Sequence, residues 1–345
     1  MSWSRLRVAG GRTRPVAALL VGLLATGSLV ACGSDEKPAG DQAGAPAAAG
    51  FPVTIKNTFG ETTLEKKPER IVTLGWNAQD VVYALGETPV GMPKVTYGQT
   101  AAGTTAWNES HFDPAKTTLL ETTDSIPFEK IAALTPDVIL APYEGFDKAT
   151  YDKLTEIAPT VAYPGAPWQT TWQDQTKLVG QALGKSAEAQ KLIDGVKELT
   201  TKAAADHPEF KGKTITVASF GAENYVYMPN DPRVQILNEM GFVNSPGVET
   251  LEKANAQKQF YMTVSKEKVA DVDADVVVAY VDDLTAAKFK ADPVYAAMGA
   301  SKKGSVYLME DKQVVSGMSA VSVLSVPWVL ERILPGLTKA AEAAK

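Results

Sequence analysis

The sequence has very few of the side chains that most often bind metal ions. Its 345 residues include one cysteine, Cys32, and two histidines, His111 and His207. A single thiol excludes an intramolecular disulfide and a cysteine-rich metal site. The two imidazoles lie in separate contexts without a nearby array of carboxylates, so we predict no metal site and no cofactor of the protein's own.

Motifs typical of catalysis are also missing. The sequence has no G-x-S-x-G nucleophile elbow, no H-E-x-x-H zinc motif, no phosphate-binding glycine loop and no dinucleotide fingerprint. We therefore predict that the protein is not an enzyme and has no catalytic residues. A surface-anchored hydrolase and an adhesion module remain as alternatives.

Basic residues are scarce beyond the start of the chain. Four of the 34 lysines and arginines lie in the first 31 residues, which contain no acid, and these four are Arg5, Arg7, Arg12 and Arg14. The rest of the chain has 30 basic against 40 acidic side chains, a net charge of about −10. This charge argues against nucleic acid as a partner and against electrostatic adhesion to anionic lipid.

The first 50 residues read as a leader and a tether. The arginine-rich start, the apolar run over residues 15–31 and the small Ala31 predict a secretory signal peptide over residues 1–31. The "LVAC" that ends at Cys32 resembles a bacterial lipoprotein box, which predicts lipidation of Cys32. An uncleaved anchor is the alternative, because residues 15–34 are nearly long enough to span a bilayer. Residues 32–50 contain no aliphatic side chain larger than alanine, and we predict a flexible tether there.

One stretch of sequence occurs twice. "EKIAALTPDVILA" from Glu129 matches "EKVADVDADVVVA" from Glu267 at a constant shift of 138 residues. A helical turn followed by an apolar run of strand length explains both copies. Chance similarity is the alternative, but a β-rich run that breaks at a glycine-containing loop also occurs in both halves, from Arg70 and from Thr214.

The order of the predicted elements gives the fold class. Strands are predicted at 71–74, 138–141 and 160–163 in the first half, and at 215–219, 276–280 and 306–309 in the second half. Helices are predicted at 80–85, 151–157, 234–240 and 322–333. About forty residues between the halves show only helical spacing, with a stop and restart at Gly184 and Ser186. We predict an α/β protein with two similar Rossmann-like lobes, residues 51–172 and 208–345, joined by a single long helix within 173–207, with a ligand cleft between the lobes.

Several segments together resemble a known family. They are "PERIVTLGWNAQDVVYALG", "PFEKIAALTPDVILA", "YDKLTEIAPTVAYPG", the middle helix and "VSKEKVADVDADVVV", which cover most of the chain from Pro68 to Met309. In this order, behind a lipoprotein-like start, they resemble the lipid-anchored substrate-binding proteins of ATP-driven importers for ferric siderophores, haem and cobalamin. "PFEKIAAL" and "APTVAYPGAPWQTTW" are most similar to the ferric-siderophore branch.

The resemblance implies an extracytoplasmic, lipid-anchored receptor on the outer face of the cell membrane. The receptor would be a monomer that binds a ferric siderophore and delivers it to the permease dimer of an ABC importer. The iron would arrive as part of the chelate. A cobalamin or haem receptor of the same fold is the alternative, although the lack of a well-placed histidine disfavours axial haem ligation.

The resemblance also assigns a role to the repeated segment. Each lobe in that family carries a glutamate that engages an arginine of one permease subunit, and Glu129 and Glu267 match these positions. A guanidinium binds a carboxylate with bidentate geometry, so two such contacts would fix orientation. The alternative for both residues is a favourable charge in the first turn of a helix.

Ligand residues are expected where the strands end at the cleft. Aromatic walls can pack against the apolar linkers of a siderophore, and a guanidinium can donate to its chelating oxygens. Arg233 matches the arginine that relatives use in this way, and its alternative is a solvated partner of Asp231. Each aromatic side chain has core packing as its alternative. The predicted ligand residues are Trp76, Tyr97, Tyr143, Trp168, Phe220, Tyr225, Arg233, Tyr280 and Met318.

Overall fold

A computed structural model of the protein describes residues 50–280 and 286–345. The predicted signal peptide, the lipidation residue Cys32 and nearly all of the predicted tether lie outside the described residues. In the part of the chain that is described, no helix is both long and apolar enough to cross a membrane.

The N-terminal lobe is built on a parallel sheet. A short antiparallel hairpin precedes it, formed by β1 (Val53–Asn57) and β2 (Gly60–Leu64). The lobe continues with β3 (Ile71–Thr73), α1 (Ala78–Ala84), β4 (Gly91–Pro93), β5 (Thr118–Leu120), α2 (Phe128–Ala133), β6 (Val138–Ala141), α3 (Lys148–Ile157) and β7 (Thr160–Ala162). The strand order is β5-β4-β3-β6-β7 and every pair is parallel. The chain order reverses between β3 and β6, which is where open α/β sheets bind ligands.

Two helices follow the first sheet. They are α4 (Trp172–Ala182) and α5 (Ser186–Asp206). The break falls at Gly184, whose φ of 66° lies in the left-handed region, as the predicted stop and restart requires. The 21 residues of α5 span about 31 Å and form the long connection between the lobes. Trp172 at the start of α4 is 1 % exposed and belongs to the core.

The C-terminal lobe has a mixed sheet rather than a second parallel one. Its elements are β8 (Thr214–Ser219), β9 (Asn224–Tyr227), α6 (Pro232–Glu239), β10 (Val243–Asn244), α7 (Pro246–Ala254), β11 (Tyr261–Val264), β12 (Val276–Tyr280), α8 (Ala286–Ala291), α9 (Pro293–Ala297), α10 (Gly299–Lys303), β13 (Val306–Met309), α11 (Lys312–Ser319) and α12 (Ser325–Ala343). The strand order is β11-β9-β8-β12-β13, with β10 also paired to β8. Strand β9 runs antiparallel to both of its neighbours. The parallel pairs of β8 with β10 and β12, and of β12 with β13, repeat the pairs of β3 with β4 and β6, and of β6 with β7, in the first lobe.

The repeated segment has the same local structure in both lobes. In each copy a helical turn leads into a central strand, first as α2 and β6, then as a 3₁₀ segment, Lys266–Val272, and β12. Ile131 and Val269 are equivalent under the shift of 138 and both are 0 % exposed. The structure therefore confirms the repeated supersecondary unit.

An aspartate in each copy of the repeated segment hydrogen-bonds to the backbone at the start of a central strand, β3 or β8. The carboxylate of Asp137 accepts hydrogen bonds from the backbone N–H groups of Glu69 and Arg70, at 2.8 and 2.9 Å, just before β3. Its equivalent, Asp275, accepts one from the N–H of Thr214 at 2.9 Å, at the start of β8. These hydrogen bonds hold the amino-terminal ends of β3 and β8. The predicted ligand residues lie at the opposite, carboxyl-terminal ends of the strands.

A buried carboxylate joins the lobes. Asp80 in α1 is 0 % exposed and accepts hydrogen bonds from Trp107 Nε1 at 2.7 Å and Asn108 Nδ2 at 2.6 Å, both in its own lobe. The hydroxyl of Ser322, between α11 and α12 of the other lobe, also donates to Asp80. Beside it, Asn77 Nδ2 donates to the carbonyl of Val321 at 2.8 Å. We call the contacts of Asp80 with Trp107, Asn108 and Ser322 the Asp80 junction.

Candidate binding cleft

Three aromatic rings from separate strand ends come together in the N-terminal lobe. Trp76 follows β3, Tyr143 follows β6 and Trp168 follows β7. The ring centres of Trp76 and Trp168 are 5.8 Å apart, and those of Tyr143 and Trp168 are 5.7 Å apart. Trp76 is 51 % exposed, an unusual exposure for so large a ring. We call these three residues the aromatic wall.

Close backbone packing allows the wall to form. A Cβ on Gly75 would lie 2.1 Å from the carbonyl oxygen of Tyr143, so only glycine fits between β3 and Trp76. A Cβ on Gly145 would lie 2.2 Å from Trp168 Nε1, so the indole ring rests on the bare backbone there. Trp168 itself has a φ of 60°, which is uncommon for a bulky residue. Its N–H donates to the carbonyl of Glu144 at 3.2 Å, which holds this conformation.

Arg233 lies in the C-terminal lobe, at the first turn of α6. Its Nε and Nη2 donate to the two carboxylate oxygens of Asp231, both at 2.8 Å. Its Nη1 donates to the hydroxyl of Tyr280 at 2.7 Å, and its guanidinium carbon lies 3.7 Å from the ring centre of Tyr227. Asp231 also caps α6 by accepting from the backbone N–H of Arg233. The side chain is therefore fixed in both position and plane before any ligand arrives.

The pairing with Asp231 was expected from the sequence, but the guanidinium is not solvated. Arg233 is 5 % exposed. Burial alone would lower the pKa of Arg233, but the adjacent charge of Asp231 outweighs it and holds this pKa well above its usual value. The arginine therefore stays charged, and its ion pair is buried.

The aromatic wall and Arg233 lie within electrostatic reach of each other. Burial raises the pKa of Tyr143, the negative charge of Asp231 raises it further, and the positive charge of Arg233 acts in the opposite direction. A tyrosine of one lobe thus responds to an ion pair of the other. The structure brings together Trp76, Tyr143, Trp168, Arg233 and Tyr280 of the predicted set.

Tyr97 and Tyr225 are not buried. Tyr97 is 41 % exposed, and the Nζ of Lys312, at the start of α11, lies 5.7 Å from its ring centre. A Cβ on the adjacent Gly98 would lie 2.4 Å from the carbonyl oxygen of Lys312, so this loop touches the other lobe. Tyr225 donates its hydroxyl to Glu223 and packs edge-on against Tyr261 at 5.2 Å.

Two predicted ligand residues lie in the core. Phe220 is 0 % exposed and packs against Phe289 and Tyr295, with ring centres 5.6 and 5.1 Å away. It keeps the side-chain alternation of β8, which puts it on the same face as Ala218 and away from the aromatic wall. Met318 in α11 is 1 % exposed and packs in the main core cluster. The structure does not bring either side chain to the wall.

Sequence reasoning missed Glu144, the residue after Tyr143. Its Oε2 lies 3.2 Å from the position that a Cβ on Gly75 would occupy, so the carboxyl lies at the junction of the β3 and β6 loops. Burial raises the pKa of Glu144 to about 7, and a backbone hydrogen bond from Gly145 partly offsets this. Glu144 was not among the predicted residues because these were mostly aromatic. The sequence signal for it is an acidic residue shortly after a buried strand.

The two repeated glutamates are on the surface. Glu129 is exposed in the first turn of α2, and Glu267 is exposed at the equivalent turn of its 3₁₀ segment. Hydrogen bonds from the backbone N–H of Glu267 and from the side chain of Ser265 lower the pKa of Glu267. Among the described residues, neither glutamate takes part in an ion pair with a basic side chain within 4 Å.

One cavity of the C-terminal lobe lies apart from the predicted ligand residues. This cavity of about 420 Å³ lies between β13 and α12, against Tyr307, Leu308 and Gly336, and none of the predicted ligand residues lines it. Residues 50–280 and 286–345 contain no group of three or more histidine, cysteine, aspartate or glutamate side chains arranged to hold a metal ion.

Two α/β lobes, a long connecting helix, and an aromatic wall with a buried guanidinium within its electrostatic reach are the features expected of a solute-binding protein. The sequence profile of the periplasmic binding protein family matches residues 71–313, and the chain belongs to that family. This membership agrees with the prediction of a binding protein rather than an enzyme.

Several individual proteins of known name are similar to this chain. The chain is 34 % identical to PiaA of Streptococcus pneumoniae TIGR4, solved in complex with ferrichrome, with a TM-score of 0.77 over 85 % of this chain and 99 % of that one. It is 26 % identical over 310 residues to the "Probable siderophore-binding lipoprotein YfiY" of Bacillus subtilis, covering 86 % of this chain and 90 % of that protein. It is 25 % identical over 266 residues to the "Fe(3+)-citrate-binding protein YfmC" of the same species, covering 73 % and 76 %.

Proposed function

We propose that this protein is an extracytoplasmic receptor that binds a ferric siderophore and delivers it to the permease of an ABC importer. The observation that carries the proposal is the buried guanidinium of Arg233, which is oriented by Asp231 and lies within electrostatic reach of Tyr143 in the aromatic wall. The names of the relatives support it, because one structure contains ferrichrome and two related proteins are named for siderophore or ferric citrate binding.

The chemistry of the cleft suits a chelate better than a bare ion. A siderophore surrounds Fe(III) with its own oxygens, so the protein contacts the organic shell and not the metal. Trp76 and Trp168 offer ring faces to that shell. Asp231, Tyr280 and Ser319 occupy most of the N–H groups of Arg233, and one N–H of Nη2 has no partner among the described residues. That donor can reach a chelating oxygen.

Tryptophan fluorescence gives a direct test. The soluble body from Phe51 onward would be titrated with ferric hydroxamates, ferric catecholates, ferric citrate, haem and cobalamin. Because Trp76 and Trp168 form the wall, we expect saturable quenching by one ferric chelate at submicromolar concentration. The iron-free compound is the control. Saturation by cobalamin or haem alone would change the ligand class, and silence across the panel would contradict the receptor function.

The exposed glutamates are the proposed contacts to the permease dimer. Glu129 and Glu267 lie at equivalent positions of the repeated unit, so each lobe offers one carboxylate to one permease subunit. Replacing both by alanine is expected to abolish uptake into cells while ligand affinity in solution stays near wild type. Loss of affinity in the double variant would contradict the docking role. A matched control is Glu198→Ala on α5, which should leave uptake intact.

Lipidation of Cys32 is the proposed means of attachment to the outer face of the cell membrane. Two or more acyl chains give stable anchoring where a single chain gives only marginal binding. A Cys32→Ala variant is expected to leave the membrane fraction and lose the mass of the lipid. Membrane retention of that variant would favour an uncleaved anchor instead. We further propose that the receptor acts as a monomer without a cofactor of its own.

A further inference from the structure

A further contact between the lobes lies beside the aromatic wall. Gln169, the residue after Trp168, donates a hydrogen bond from its Nε2 to the backbone carbonyl of Lys258 in the C-terminal lobe, at 2.8 Å. Asn230, the residue before Asp231, donates from its Nδ2 to the same carbonyl at 3.1 Å and to Gln169 Oε1 at 3.4 Å. We call the contacts among Gln169, Asn230 and Lys258 the Lys258 clasp.

The C-terminal lobe alone sets the direction of the Lys258 carbonyl. Lys258 lies in the loop between α7 and β11, and its φ of 53° is in the left-handed region. Asn255, which is 3 % exposed, closes this loop by donating to the carbonyl of Gln259 at 2.8 Å and accepting from the N–H of Gln259 at 2.9 Å. The Nζ of Lys258 also forms an ion pair with Glu252 of α7 at 2.7 Å. The loop therefore holds its shape without contacts from the N-terminal lobe.

The clasp lies next to both sides of the predicted site. Gln169 directly follows Trp168 of the aromatic wall. Asn230 directly precedes Asp231, whose carboxylate fixes the guanidinium of Arg233. Because Gln169 and Asn230 also contact each other, the clasp joins the chain at the wall to the chain at the buried ion pair.

The two hydrogen bonds to the Lys258 carbonyl respond differently to a movement of the lobes. Asn230 and Lys258 belong to the same lobe, so their bond persists when the lobes separate. Gln169 belongs to the other lobe, so its bond must break. The Gln169 side chain is only partly buried, and water can replace the lost partner. Opening the clasp therefore costs about as much as breaking one ordinary hydrogen bond.

We propose that the Lys258 clasp controls how fast a bound ligand leaves the cleft, and that Gln169 is a positioning residue for Trp168. While Gln169 is bonded to the C-terminal lobe, Trp168 stays near the ion pair and a ligand between them is retained. When this bond breaks, Trp168 moves away with its own lobe and the ligand is released. This inference rests on the proposed function and goes further by naming the residues that set the residence time of the ligand.

The rate of ligand dissociation tests the inference. The soluble body from Phe51 would be loaded with ferrichrome, the compound in the similar PiaA structure, or with another ferric chelate of the panel if only that one binds. Stopped-flow mixing with an excess of the gallium analogue, which lacks the visible absorption of the ferric chelate, would report release as recovery of tryptophan fluorescence.

Gln169→Glu removes the N–H donors and sets a carboxylate against the Lys258 carbonyl at nearly unchanged size. The dissociation rate constant is expected to rise at least fivefold. Circular dichroism and a melting curve would show that the variant is folded. An unchanged rate in the folded variant would overturn the inference and leave the receptor function intact, whereas failure of every chelate to bind would overturn both.

Two control variants separate the clasp from charge and from the lysine side chain. Gln257→Glu adds the same charge to an exposed position of the same loop. Lys258→Gly keeps the carbonyl, and glycine adopts the left-handed conformation readily. Both rates are expected to stay within about twofold of wild type. A fivefold rise in Gln257→Glu would assign the effect to charge, and one in Lys258→Gly would assign it to the side chain, and either would overturn the role of the carbonyl.

A distance between the lobes gives a readout that needs no ligand. Residues 51–345 contain no cysteine, so Glu156→Cys on α3 and Lys253→Cys on α7, both at exposed positions, can carry spin labels without background. Pulsed electron paramagnetic resonance should show a longer or broader distance distribution when Gln169→Glu is added, and no change with Gln257→Glu. Identical distributions in all three proteins would overturn the clasp.

Discussion

Among the described residues two aspartates are buried, and each has a different kind of partner. Asp231 and Asp80 are both 0 % exposed. Asp231 lies against a guanidinium, whereas Asp80 accepts hydrogen bonds from the neutral groups of Trp107, Asn108 and Ser322. Burial raises the pKa of Asp80 to about 6, and these hydrogen bonds only partly oppose the shift.

The kind of partner that each buried aspartate has suits its location. At the cleft, an ion pair keeps Arg233 charged and oriented toward a ligand. At the Asp80 junction, neutral donors from both lobes converge on one acid, so the contact between lobes responds to the protonation of that acid. We therefore expect the stability of the protein to fall when one member of the Asp231–Arg233 ion pair is removed. We expect the contribution of the Asp80 junction to stability to change with pH.

The largest effect is expected from Arg233→Ala. Removal of the guanidinium leaves the buried Asp231 without a partner, which should lower the free energy of unfolding by about 3–5 kcal/mol. Loss of a charged donor should also weaken ligand binding by about 1.5–3 kcal/mol. Chemical denaturation and ligand titration of the soluble body measure the two effects separately.

A double variant is the control for that experiment. Asp231→Asn combined with Arg233→Gln removes both charges and leaves no isolated buried ion. It should unfold less readily than Arg233→Ala although it carries one more substitution. Equal or lower stability of the double variant would show that the ion pair contributes through packing rather than through charge compensation.

The pH dependence of the Asp80 junction is expected to be nearly as large. The folded-state pKa of Asp80, about 6, lies above its ordinary value of 3.8, so the folded protein holds this proton more tightly than the unfolded chain. The stabilisation is complete below about pH 4 and is lost as pH rises through 6. A shift of about two pKa units corresponds to about 3 kcal/mol.

Asp80→Asn isolates this contribution, because an amide does not titrate. The free energy of unfolding of wild type minus that of Asp80→Asn should decrease by about 3 kcal/mol between pH 4 and pH 7. In this difference between wild type and Asp80→Asn, the contributions of the other carboxyl groups cancel because both proteins contain them. A pH-independent difference would show that Asp80 has a normal pKa in the folded protein.

A smaller effect is expected at the aromatic wall from Gly145→Ala. The added Cβ would lie 2.2 Å from Trp168 Nε1, so the indole ring must move. Overpacking of this kind costs about 1–3 kcal/mol, and displacement of the ring should also weaken ligand quenching of tryptophan fluorescence. Gly165→Ala is the matched control, because nothing lies within 4 Å of its added Cβ. Equal stability and quenching in the two variants would contradict the packing of Trp168 against residue 145.

The sequence predicted the central strands of each lobe closely, and it predicted the convergence of Trp76, Tyr143 and Trp168. Apolar runs such as Val138–Ala141 and Val276–Tyr280 are buried at every position, so composition alone identifies them. The loops that follow parallel strands meet at one edge of a sheet, which is why residues from three separate loops form the wall.

Three features of the structure were not predicted from the sequence, each for a physical reason. Strand β9 has four residues and runs antiparallel to β8, and no strand was predicted there. Side-chain alternation is the same in parallel and antiparallel strands, so the sequence pattern does not encode this direction. Phe220 directly follows β8 and continues its alternation into the core. The contact of Ser322 with Asp80 joins residues 242 positions apart, and no local pattern encodes such a separation.

The contacts of Asp137 and Asp275 also bear on how the chain folds. Asp137 reaches back 68 and 67 residues to the start of β3, and Asp275 reaches back 61 residues to the start of β8. Both contacts join residues of the same half of the chain. The start of β3 or β8 can therefore be hydrogen-bonded before the other half has folded. A chain that emerges N-terminus first can therefore complete one lobe before the second has been synthesised. The Asp80 junction, which needs both halves, belongs to the last stage of assembly.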